Sequence, residues 1–181
     1  SAYYPYSQPY SDFNYIRNSV RVIVDAYTGD MKFYVIDESD PIVNAYRKIY
    51  PTLFSDEPLE SAVASHIRVP EFMFKVQTQM YQRYHLSDAG QFYDKADVWR
   101  VATEKYENDE ITMQPYFNVM QIEEDSGEEL VLVQPFVLGD KYNMVGLLVM
   151  RTNEEHYGEL VLYRFPKGET VYGPMQIENK I

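Results

Sequence analysis

The side chains that could do chemistry in this chain are three histidines and 28 carboxylates; there is no cysteine. Without thiols, disulfides, thiolate catalysis and cysteine-zinc sites are excluded. His66, His85 and His156 stand too far apart in sequence for the i, i+4 pair of a zinc-binding helix, and no His-Glu-x-x-His occurs. His66 and His85 fall near the C-terminal ends of predicted helices, where an imidazolium is favoured by the helix dipole, a structural role. His156 follows Glu154 and Glu155, a trio that could in principle ligate a divalent metal, although a surface loop explains it better. Residues 123–129 (EEDSGEE) hold the oxygen atoms of a calcium loop but not its alternate spacing, so a turn around Gly127 is preferred. No Gly-x-Ser-x-Gly elbow and no glycine-rich phosphate loop is present. With so many acids, no pair can be singled out as a glycosidase dyad. The residue types therefore nominate no catalytic, cofactor-binding or metal-ligating residue.

Charge narrows the partners. Acids outnumber Lys and Arg by 28 to 16, for a net charge of −12. Residues 1–100 carry a net −3 and residues 101–181 a net −9. Such a surface repels a phosphate backbone and anionic lipid headgroups, so neither nucleic acid nor direct lipid binding is expected. Most of the acids read as solvated faces that keep the domain soluble. No apolar run approaches the roughly 20 residues that span a bilayer, and residues 1–10 have neither the basic nor the apolar region of a signal peptide.

The elements that must position these side chains follow from periodicity. Residues 1–18 form an extended Tyr/Pro-rich leading segment, because Pro5 and Pro9 block a helix. Residues 19–37 alternate as a β-hairpin about Thr28, Gly29 and Asp30, with Val20, Val22, Val24 and Ala26 on one face. A helical block spans 40–105. Its first helix is capped by Asp40, opened by Pro41, carried by Ile42, Ala45, Tyr46 and Ile49, and stopped by Pro51. A second is predicted from Pro58 to Ile67 or Arg68. A third runs from Pro70 to about His85, with Phe72, Val76, Met80 and Tyr84 stacked and Met73, Phe74 and Tyr81 widening the face. A fourth starts at Ser87 or Asp94 and reaches Lys105 through Val98, Trp99 and Ala102, with 107–110 as the loop that closes the block. Residues 113–178 return to period two, with strands at 116–122, 130–138, 145–152, 159–165 and 170–177. The 130–138 strand is apolar on both faces and so central. These assignments give one α+β domain over 1–181: an antiparallel sheet with about four helices inserted after the first hairpin and gathered on one face.

Several strings occur together in order: Tyr4-Pro-Tyr-Ser7, Phe13-Asn-Tyr-Ile-Arg-Asn-Ser-Val20, Val24-Asp-Ala-Tyr27, Phe33-Tyr-Val35, Asp40-Pro41, Tyr46-Arg-Lys48, Phe92-Tyr93, Trp99, His156-Tyr-Gly158, Tyr163-Arg-Phe-Pro-Lys-Gly168 and Val171-Tyr-Gly-Pro-Met-Gln-Ile-Glu178. In these the chain resembles Uncharacterised Protein Family 0182 over nearly its whole length. The resemblance implies a bacterial polytopic membrane protein with several N-terminal spans and a large soluble region on the extracytoplasmic side. This chain looks like a piece of that region, since family sequences continue beyond both of its ends. The family offers no catalytic residues to carry over. Residues 22–29 also resemble the hairpin of PepSY-type modules. The resemblance implies location more than activity; together with the 18 tyrosines and the lack of a catalytic constellation it leads to the expectation of a binding, interaction or structural module at the cell membrane, partnered by the rest of its own parent chain, with an envelope protein or saccharide as a further partner. The alternative is a carboxylate- or metal-dependent hydrolase acting at the cell envelope.

Overall fold

A computed structural model describes residues 12–13, 15–94, 97–124, 127–139 and 141–180. Most of the Tyr/Pro-rich leading segment, and Asp125 and Ser126 of the acidic turn, lie outside the described residues. The α+β class holds: four helices follow the first hairpin and the strands pair antiparallel. The chain divides into two compact units, 1–64 and 65–181.

In the first unit, β1 (Val20–Val24) pairs with β2 (Met31–Val35), setting Val22 opposite Phe33 and Val24 opposite Met31. The strands end sooner than the alternation suggests because Asp25 folds into the turn. Its carboxylate accepts from the Tyr27 and Thr28 N–H groups at 2.8 and 2.9 Å, and Gly29 takes the positive φ of 77°. Helix α1 (Pro41–Ile49) starts as expected. Asp40 accepts the Ile42 N–H at 2.8 Å and is itself buried against the Ser19 hydroxyl. Both contacts favour the carboxylate, so the Asp40 pKa lies below its ordinary value, the Ser19 hydrogen bond first. Helix α2 is a single turn, Ser61–Ala64, shorter than the predicted 58–68.

In the second unit, α3 (Glu71–Tyr84) matches its predicted span, but its buried stripe is different. Phe74 and Thr78 are buried and Tyr81 half-buried, whereas Phe72, Met80 and Tyr84 are exposed. Thr78 is accommodated because its hydroxyl donates to the Phe74 carbonyl at 2.9 Å. The fourth helix, α4 (Ala89–Asp94), stops well short of Lys105. The helical reading of Val98, Trp99 and Ala102 is corrected: Asp97 takes φ 54°, which ends any helix, and Trp99–Val101 forms strand β3. Their aromatic and β-branched side chains suit a pleated surface, and pairing with Phe136–Leu138 decides the matter. Residues 107–110 belong to the hairpin of β4 (Thr103–Tyr106) and β5 (Asp109–Thr112).

The main sheet is built around β7 (Glu128–Leu138), buried from Val131 to Val137, the central strand its apolar run predicts. On one side it pairs with β6 (Tyr116–Gln121) through Val133, then with β3 from Phe136. Pro135 sits in the seam between these two partners, where its missing N–H breaks no ladder, and its carbonyl accepts from Ala102 at 3.0 Å. On the other side β8 (Met144–Arg151) follows, then β9 (Leu160–Arg164). Leu132, Phe136, Leu148 and Met150 form one face of the core, against which Phe74 of α3 and Trp99 pack; Val131, Val133 and Val149 form the other. The predicted strand at 170–177 is also corrected. Only Tyr172 bridges to Asn143, and Pro174–Glu178 is helix α5. Gly173 followed by proline is a helix start, with the Gly173 N–H donating to the Gln176 side chain at 3.0 Å. Among the described residues no helix is long and apolar enough to cross a membrane.

Candidate functional site

The second unit holds a cleft of about 610 Å³, within the ~300–1,000 Å³ usual for small-ligand sites. It is assembled from the end of α3, the Asp97–Trp99 turn into β3, the loop after β7, and the end of β9 with its following loop. His85 is the hinge of this arrangement. It caps α3, and its imidazole stacks on Trp99 with ring centres 3.8 Å apart and planes at 15°. Nδ1 faces the Tyr81 carbonyl at 2.9 Å and Nε2 the Asp97 carbonyl at 3.1 Å. Two carbonyls would suit an imidazolium, but burial is the larger effect. With the nearby Arg164 charge added, the pKa of His85 falls below its ordinary value. The helix-end position matches the sequence expectation; the charged state does not.

Trp99 leans on Phe136 at 5.6 Å and lies over Gly146, where a Cβ would come within 2.9 Å of the indole. Glycine is required there by close approach, not by backbone angle. Arg164, the last residue of β9, donates to the His85 carbonyl at 2.8 Å and holds its guanidinium 6.0 Å from the Trp99 ring centre. Lys141 and Lys167 complete the basic lining, and Asp97 and Glu169 the acidic. Lys167 pairs loosely with Asp97 at 3.5 Å. Leu86, Leu138, Val145 and Phe165 supply apolar lining. These groups run from His85 to Glu169 in sequence; the strings carrying the family resemblance include Trp99, Arg164 and Lys167, but no local spacing links them.

The acidic candidates take a different role. Arg151 is buried at the end of β8, its Nη2 2.6 Å from Glu129 and its Nη1 3.0 Å from Glu123 and 3.7 Å from Glu159. His156 Nδ1 lies 2.8 Å from Glu159, not on Glu154 or Glu155, both of which are exposed. Glu123, Glu129 and Glu159 are thus gathered about a buried guanidinium. The signal was an arginine closing the apolar run 144–150. Among the described residues no group of three or more His, Asp or Glu side chains is placed to hold a metal ion. His66, exposed after α2, contacts the Ser65 hydroxyl at 3.1 Å.

A second surface lies in the first unit. Ile42, Tyr46, Ile49 and Tyr50 fall on one stripe of α1 and its cap, and each is half exposed or more. On the hairpin, Val22, Val24 and Met31 are exposed on one face as well. Apolar residues that periodicity sets on one face of the hairpin and of α1 therefore look outward, with Val43 the buried hydrophobic residue of this unit among those described.

Comparison with known proteins gives a consistent result. A model of an uncharacterised protein family, UPF0182, matches residues 1–181. A UPF0182 protein of Caldicellulosiruptor saccharolyticus is 48% identical over 182 residues, covering 99% of this chain and 20% of the relative. One of Trichodesmium erythraeum is 48% identical over 169 residues, covering 93% and 18%. One of Methanospirillum hungatei is 39% identical over 186 residues, covering 98% and 21%. The chain thus spans about a fifth of the length of the curated relatives it matches. No solved structure matches. Matched from its first residue to its last, the chain belongs to the uncharacterised protein family UPF0182.

Proposed function

We propose that these 181 residues are an interaction module of a longer polypeptide anchored in the cell membrane, that the module lies on the extracytoplasmic side, and that the rest of that polypeptide covers the first unit. The observation that carries the reading is the outward apolar stripe of α1. A nine-residue helix gains little from propensity alone and is held by burial of its apolar face. Here Ile49 is 63% and Ile42 50% exposed. Clustered apolar exposure of this kind marks an interface. The relatives are about five times as long as the matched stretch, so four-fifths of such a polypeptide is available to cover the stripe.

Hydrogen exchange tests the covering. Amides of α1 and β1–β2 are expected to be protected at least about tenfold more in the full-length protein than in these 181 residues, since covered elements open less often. Equal protection in both would sink the reading. The location has its own test. The chain has no cysteine, and Tyr27 is fully exposed at the hairpin tip, so Tyr27→Cys in a full-length protein otherwise lacking accessible thiols gives one reporter. A membrane-impermeant maleimide should label it in intact cells; labelling only after permeabilisation would place the module in the cytoplasm.

A further inference from the structure

We propose that the cleft of the second unit binds a small amphipathic anion, a carboxylate or phosphate monoester carried on an apolar body. This site is separate from the apolar stripe of the first unit and does not depend on it.

Charge makes the first part of the argument. Residues 65–181 hold 19 acids and 11 bases, yet the cleft lining carries Lys141, Arg164 and Lys167 against two carboxylates. A basic concavity in an acidic body focuses potential on anions. Pairing makes the second. Arg17, Arg47 and Arg151 each lie beside a carboxylate, but among the described residues neither Arg164 nor Lys141 has one within 4 Å. Arg164 spends one N–H on the His85 carbonyl, which fixes the guanidinium at the cleft wall. Its remaining donors form the planar fork that suits a two-oxygen headgroup. Shape makes the third. The same lining includes Leu138, Val145 and Phe165, which an inorganic ion cannot use and an alkyl or aryl body can. Lys167 already shares Asp97, so Arg164 and Lys141 are the recognising pair.

Trp99 is the single tryptophan and lines the cleft, so its fluorescence reports occupancy directly. The 181-residue chain is titrated with octyl phosphate and with octanoate, beside octanol, octyltrimethylammonium and inorganic phosphate. A saturable change with octyl phosphate or octanoate, at least about tenfold tighter than with octanol or the cation, is expected, and the tighter of the two identifies the headgroup. Lys141→Gln should weaken that binding about three- to tenfold and Arg164→Gln about tenfold or more, while the urea midpoint of Lys141→Gln stays at wild type. If Arg164→Gln does not fold, Lys141→Gln decides alone. Equal binding of octanol, the absence of saturation with either anion, or affinity untouched by Lys141→Gln would each overturn the proposal.

Discussion

At the scale of single residues, His85 shows how competing effects settle one protonation state. Around the ring stand the Tyr81 carbonyl from α3, the carbonyl and carboxylate of Asp97, the Trp99 face and the Arg164 guanidinium from β9. The carbonyls favour the charged ring, while burial and Arg164 disfavour it, and the net shift is downward. The unfolded chain therefore takes up a proton first, near the ordinary histidine pKa of about 6.5. Between that value and the lower folded one the unfolded state holds more protons, so stability rises with pH. The contribution of His85 is full above pH ~6.5 and is lost as the pH falls toward the folded pKa. His85→Gln is expected to cost about 2 kcal/mol at pH 7.5 through lost stacking and an imperfectly paired carbonyl. The gap between wild type and variant should narrow by pH 5.5, as read from urea midpoints at both values. A gap that widens on acidification would mean the native ring is protonated instead.

At the scale of elements, what was legible in the sequence was what one strand or helix decides alone. The Asp40–Pro41 start, the Pro51 stop and the doubly apolar β7 depend on local chemistry, and all three stand in the structure. Trp99 misled because Trp99 and Ala102 are spaced as on a helix, while pairing with β7 and the space over Gly146 are set by residues some 40 positions away. The α3 stripe shifted for a related reason: a threonine that bonds its own helix can be buried, which hydrophobicity alone does not reveal. The cleft was not legible at all, since its cations lie far from His85 in sequence. Arg151 shows the same non-local logic in charge. It ends β8 and joins Glu129 of β7 to Glu123 of the preceding turn, with its side chain 4% and that of Glu129 8% exposed. Removing one partner of such a pair strands the other. Arg151→Ala should therefore cost about 3–5 kcal/mol, and Arg151→Met combined with Glu129→Leu should recover most of it. Urea denaturation of wild type and the two variants measures both; a double variant no more stable than Arg151→Ala would show that the charges, not their burial, hold these strands together.

At the scale of the whole molecule, the two units differ in how much they bury for themselves. Of the buried hydrophobic residues among those described, Val43 alone falls in 1–64; Val69, Phe74, Trp99, Ala102 and the β7 and β8 residues all fall in 65–181. A chain of 64 residues is near the lower limit for a self-sufficient core, and one that leaves Ile42, Ile49, Val24 and Met31 outward falls short of it. The 117 residues of the second unit, with a sheet buried on both faces, do not share that problem. Residues 65–181 expressed alone should therefore unfold in urea as one cooperative transition, with a Trp99 fluorescence midpoint close to that of the 181-residue chain. Residues 1–64 alone should show no cooperative transition by circular dichroism, because hairpin and helix lack a face to bury against. If instead the 65–181 fragment unfolds at a much lower midpoint, the first unit supplies core to the second, and the outward stripe of α1 is only part of what it offers. A cooperative transition in 1–64 would contradict the argument from the other side, since the unit would then need nothing to cover its apolar stripe.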